Sequence, residues 1–207
     1  MHILTRASVL ALATLSVACM RDIEDTPDST AAAAGATGVV TAPAAPVEAP
    51  MRVEVDIATR KLSVYRNGAI AGTYGVAVGT AEWPTRTGSW TISQVVWNPE
   101  WVPPTDESWA KDEKPKAPGA RDNPLGQVQL VYDPPRTIHG TNQPASIGTA
   151  ASHGSIRMRN EDAVVLAQAI MEAGGAQKDS AWVARVRRNR TTKEVVDLAT
   201  PIPIVVK

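Results

Sequence analysis

Two histidines and a serine set among glycines form the most chemically suggestive stretch of this chain. His139-Gly140-Thr141-Asn142 is followed by Ser146-Ile147-Gly148 and then by Ser152-His153-Gly154-Ser155-Ile156-Arg157-Met158. A hydroxyl nucleophile needs a base within hydrogen-bond reach and donors aimed at the oxyanion that develops on the attacked carbonyl. Ser155 supplies the hydroxyl, the histidines supply candidate bases, and the glycine-bearing backbone supplies amides. Gly154 has no Cβ, so a substrate carbonyl can come close to the backbone beside Ser155. These residue types suit acyl transfer, and Ser-His-Gly-Ser also serves as an ordinary loop; the types alone leave both readings open.

The elements that must hold these residues are mainly β. Val53, Val55 and Ile57 alternate with Arg52, Glu54 and Asp56, then Leu62 and Val64 with Lys61 and Ser63, which is the period of a half-buried strand. Asn67-Gly68 supplies the positive φ angles of a tight hairpin turn into a third strand over 69–78. Further strands are expected at 88–97, 127–132, 137–139 and 202–206, whereas 98–123, rich in Pro, Lys and Asp, shows no period. One helix is marked over about 161–173. Asn160 is placed to cap it, Glu161 and Asp162 sit at its positive end, and Val165, Leu166, Ala169, Ile170 and Ala173 form its apolar stripe before Gly174-Gly175. A second short helix is expected over 181–188, with Trp182, Val183 and Val186 inward.

Composition bounds the rest. With 207 residues, 43% hydrophobic, the chain can bury one good core, and 21 basic residues balance 21 acidic ones. No basic surface for phosphate tracking stands out, so nucleic acid is excluded as an expected partner. Arg185 to Arg190 reads as a solvated helix face, with attraction of an anionic polymer as its functional alternative. Nothing calls for a metal or a cofactor, and a monomer is expected. Trp97, Trp101 and Trp109 flank or sit in the Pro-rich stretch, where they serve as loop packing or as a lid on a cleft.

The N-terminus has the pattern of export. One arginine precedes an uninterrupted run of small, apolar and hydroxyl residues over 7–18, too short to span a bilayer. Residues 1–18 therefore read as a signal peptide. Ala18-Cys19 resembles a lipoprotein processing site, which makes Cys19 the expected lipidation site; ordinary signal cleavage is the alternative. Residues 19–50, rich in Ala and Pro, bury too little to offset the entropy of ordering and read as a disordered tether before a domain at 51–207. The expected location is the cell envelope or periplasm, with the chain membrane-anchored through that lipid.

Taken with these elements, the signature resembles the L,D-transpeptidase (YkuD-type) catalytic domain family. Gly79, Pro84, Thr85, Gly88, Trp90 and Ile92 are similar to the family's G-x-x-x-x-P-T-x-x-G-x-[WF]-x-I segment, and the resemblance runs over 51–207. It implies a β-sandwich-like fold and a nucleophile that attacks the third residue of a peptidoglycan tetrapeptide stem. D-alanine is then released and the acyl group passes to an amine of a neighbouring stem. Carried over, the nucleophile falls on Ser155 and the base on His139, oriented by the carbonyl of Gly140. The oxyanion hole falls on the amides of His153, Gly154 and Ser155; Ser152 and Arg157 shape or contact the substrate cleft, and Asn142 fixes the turn or touches substrate.

One position departs from the family pattern, which has cysteine where this chain has Ser155. A histidine can ionise a neighbouring thiol to a thiolate, whereas a serine keeps its proton until attack. Three readings follow: a working serine acyltransferase on peptidoglycan stems, a peptidoglycan-binding relative without catalysis, and a Cys-to-Ser variant of an active enzyme.

Overall fold

The computed structural model describes residues 49–207. The signal segment, the Cys19 site and nearly all of the tether lie outside the described residues. β1 (Met51–Asp56) and β2 (Lys61–Arg66) alternate as their sequences predict, with Val53, Val55, Leu62 and Val64 buried. Asn67 and Gly68 both have positive φ, 50° and 79°, and turn the chain into β3 (Ala69–Gly79), which pairs back on β2. Then come β4 (Gly88–Trp97), β5 (Val128–Asp133), β6 (Arg136–His139), β7 (Ala150–Ser152) and β8 (Ile156–Met158). Helices α1 (Asn160–Ala173) and α2 (Ser180–Arg188) precede the long β9 (Glu194–Val206).

The strand order is β2-β1-β9-β4-β5-β6-β8-β3-β7, and β2 also bonds to β3. That extra pairing closes every strand except β7 into one barrel-like sheet, where a two-layer sandwich was expected. Closure removes the unpaired edges that an open sheet must otherwise protect. It depends on β1 lying parallel to β9, with Val53 opposite Ile204, a pairing between distant parts of the chain that strand periodicity does not encode.

The core unites the inward residues of the sheet with one face of α1, including Ile92, Leu130, Ile138, Ile156, Ile204, Leu166 and Ile170, all 0% exposed. Each such side chain contributes about 1.5–3 kcal/mol by leaving water. α1 buries Val164 and leaves Val165 52% exposed, so the apolar stripe runs one position from where the sequence suggested. Two adjacent valines offer the same hydrophobicity, and packing against β5 and β9 chooses between them. Glu161 and Asp162 do occupy the first turn, but Asn160 is not the cap: Arg159 holds that position, with no side-chain cap bond. On α2, Val186 is buried and Trp182 and Val183 pack against the core, as expected.

Candidate active site

β6 and β8 run parallel, with Ile138 opposite Ile156 and His139 opposite Arg157. Side chains alternate across a strand, so the two isoleucines enter the core while His139 and Arg157 share the other face. Thr137 and Ser155 lie one alternation back on that face, and the Thr137 N–H donates to Ser155 Oγ at 3.2 Å. A parallel strand pair thus brings together two residues that are eighteen apart in sequence.

His139 is 5% exposed, and its Nδ1 lies 2.5 Å from the carbonyl oxygen of Gly140. A carbonyl only accepts, so Nδ1 carries the proton and Nε2 keeps its lone pair. Burial pushes the His139 pKa down to about 4; the Gly140 carbonyl pulls it up and the Arg157 charge lowers it further. At neutral pH the ring is an uncharged base.

The loop that carries Ser155 is braced from below. Gly154 has φ +98°, a conformation that L side chains rarely adopt, and a Cβ there would press at 3.3 Å on both Arg136 Nε and Pro84 O. Ser152, 2% exposed, donates to Ser155 O at 2.5 Å and accepts from the Gly154 N–H at 3.2 Å. Its hydroxyl is therefore spent on holding the loop. The His153 ring stacks on Trp109, with centroids 3.9 Å apart at 9°, and meets Trp83 edge-on at 4.6 Å.

Arg157 is half-buried and donates to Gln143 Oε1 at 3.0 Å. Burial lowers its pKa, and among the described residues no carboxylate forms a salt bridge with it. A cation in that setting is suited to an anionic ligand. Asn142 Nδ2 donates to Arg121 O at 3.4 Å, joining the exit of β6 to the long loop between β4 and β5.

That loop forms one wall of a cleft of about 600 Å³ that His139, Asn142, Ser152, His153, Ser155 and Arg157 all line. The three tryptophans divide. Trp97 is core, 0% exposed, with Nε1 donating to Met171 Sδ at 3.3 Å. Trp101, in an isolated bridge with Lys116, and Trp109 line the cleft, and Trp109 reaches across it to His153. Sequence reasoning passed over Thr137, Gln143 and Trp83; only the Pro84-Thr85 segment beside Trp83 carried any signal.

The sequence model of the YkuD family, the L,D-transpeptidase catalytic domain, matches residues 50–203. This chain belongs to the L,D-transpeptidase catalytic domain family. Among its relatives is YqjB of Bacillus subtilis, a protein named as an L,D-transpeptidase, 32% identical over 124 residues, which are 57% of this chain and 65% of YqjB. YkuD of the same organism, likewise named, is 32% identical over 126 residues, 60% of this chain and 63% of that protein. The chain thus spans a little under two thirds of the length of these relatives. A Cys-to-Ser mutant of the Enterococcus faecium L,D-transpeptidase has a similar fold, with a TM-score of 0.50 and 15% identity over 76% of this chain and 50% of that one.

Proposed function

We propose that this L,D-transpeptidase family member is an acyltransferase on peptidoglycan stem peptides that uses Ser155 as its nucleophile. The observation that carries the reading is His139: buried, with Nδ1 committed to Gly140 O, it offers a neutral Nε2. A serine needs such a base, because its proton has to be removed during attack. A preformed thiolate–imidazolium pair would instead need a ring that is readily protonated.

In the reaction, Ser155 Oγ attacks the carbonyl carbon of the third stem residue, and its proton passes to His139 Nε2. The negative charge on the carbonyl oxygen is met by the His153 and Ser155 amides, since the Gly154 N–H already donates to Ser152. The C–N bond to the terminal D-alanine breaks as Nε2 returns the proton to the leaving amine. An acceptor amine then attacks the resulting ester, gives its proton to Nε2, and Oγ departs with that proton. Arg157 holds a stem carboxylate, which supplies the anion its half-buried guanidinium lacks. Trp109 and the rest of its loop cover the bound stem and exclude water, which favours transfer to an amine over hydrolysis. We place the chain in the cell envelope, exported by residues 1–18 and anchored through Cys19, on the strength of the sequence pattern.

The test incubates the full chain with tetrapeptide muropeptides and scores products by mass spectrometry, beside Ser155→Cys and His139→Ala. Turnover that disappears in His139→Ala supports serine catalysis. No turnover, with activity appearing in Ser155→Cys, would mean an acyl-transfer scaffold lacking only its sulfur. Binding to sacculi with neither protein active would overturn the enzyme reading and leave a wall-binding relative.

A further inference from the structure

Asn160 opens α1, yet its side chain does not cap that helix. Its carboxamide reaches instead into the backbone around the base. Nδ2 donates to Thr141 O at 2.9 Å, two residues after His139, and Oδ1 accepts from the Gln127 N–H at 3.1 Å, at the entry to β5. Two glycines make room for it: a Cβ at Gly140 would lie 2.2 Å from Asn160 Oδ1, and one at Gly126 would lie 2.1 Å from the same atom. The Gly140 N–H is tied to Val128 O at 2.9 Å, so the peptide units on both sides of the Gly140 carbonyl are fixed, and that carbonyl is the acceptor for His139 Nδ1.

We propose that Asn160 is a positioning residue for catalysis: its carboxamide fixes the Gly140–Thr141 backbone and thereby the tautomer and direction of the His139 ring. Its place in the chain gives this reach. β8 leads from Ser155 directly into α1, and α1 is anchored by the buried Ala163, Val164, Leu166 and Ala167. Asn160 therefore stands five residues beyond the nucleophile on a rigid helix while gripping the segment just beyond the base. One side chain spans the exits of the two strands that carry the reacting pair, and it constrains their separation, which acyl transfer requires to be right to within a fraction of an ångström. The inference rests on the reading of His139 and Ser155 as base and nucleophile.

The experiment records long-range 1H–15N imidazole spectra of the 15N-labelled full chain at pH 7, alone and as Asn160→Ala and Asn160→Asp. The chain has three histidines, and the His139 signals are assigned by their loss in His139→Gln. The native ring is expected as a single Nδ1–H tautomer, and Asn160→Ala as a mixture with substantial Nε2–H. Asn160→Asp keeps an acceptor for Gln127 and suits a helix N-terminus, so it folds, but it cannot donate to Thr141 and is expected to give a mixture as well. Acyl transfer, measured also in a Ser155→Cys background, should fall about a hundredfold in kcat with KM nearly unchanged, as for a misplacement near 1 Å. Asn160→Asp folded, with the Nδ1–H tautomer intact and only its Tm lowered, overturns the proposal; should Asn160→Ala fail to fold, the Asp variant decides. A tautomer shift in a chain with no acyl transfer in either background would retain Asn160 as the residue that positions the ring and discard the acyl-transfer reading. Full activity with an unchanged tautomer would do the reverse.

Discussion

Acidification tests the buried histidine directly. His139 has an ordinary pKa of 6.5 when unfolded and one pushed down to about 4 in the fold by burial. Between these values the unfolded chain binds the proton and the folded chain does not, so stability is present above pH 6.5 and is lost as pH falls toward 4. Carried from pH 7.5 to pH 4.5, the linkage amounts to about 2.5 kcal/mol, which for a domain of this size is a Tm loss of about 5–10 °C. Other groups titrate too. Burial also lowers the pKa of His153, and Glu54, held low first by its hydrogen bond to Lys207, begins to lose that support at the acid end. The His139 share is therefore read as a difference: urea unfolding at both pH values for the native chain and for His139→Gln, which has no titrating ring. The native chain should lose about 2.5 kcal/mol more than the variant. Equal losses, or an NMR titration of His139 near 6.5, would refute the argument that the ring is held neutral. The same protonation should set the acid limb of kcat/KM near pH 4, with a flat profile through neutrality.

Further outcomes follow from individual contacts. Gly154→Ala places a side chain at φ +98° against Pro84 O and should cost about 1–2 kcal/mol in urea unfolding while distorting the nucleophile loop and depressing acyl transfer. Trp109→Ala removes the stack on His153, worth about 1 kcal/mol, so trypsin cleavage at Lys111 and Lys116 should quicken about fivefold under native conditions. Asn98, wholly buried, has a side-chain nitrogen that meets the carbonyls of Val186, Asn189 and Thr192 at 2.9–3.1 Å; Asn98→Ala leaves these short of a donor and should cost about 2–4 kcal/mol by denaturant titration.

Much of the frame was legible because local rules coincide with the tertiary outcome. The alternation of β1 and β2 and the Asn67-Gly68 turn are read within a few residues, and the structure keeps both. Where two local options were equal, sequence could not decide: Val164 and Val165 are chemically identical, and only the sheet beneath α1 buries the first. Asn160 shows a different failure. An Asn before Glu-Asp has the composition of a cap, but the donor it finds at Gln127 and the acceptor it finds at Thr141 come from elements far away in sequence. Likewise, Ser152 lay within the signature, and nothing in its type told that its hydroxyl would hold the Ser155 carbonyl rather than face substrate.

By itself the sequence determined the residue types of a candidate acyl-transfer site, both helices and most of the longer strands, since turns, alternation and helical stripes depend on neighbours along the chain; β7 and β8, three residues each, are too short to show a period. The tertiary structure decided what depends on distant pairings. It closed the sheet through β2 and β3, set His139 beside Arg157 and Ser155 beside Thr137 by one parallel register, and buried the His139 ring until it is neutral. The charge state of a histidine is a property of its surroundings, and those surroundings exist only once the strands have met.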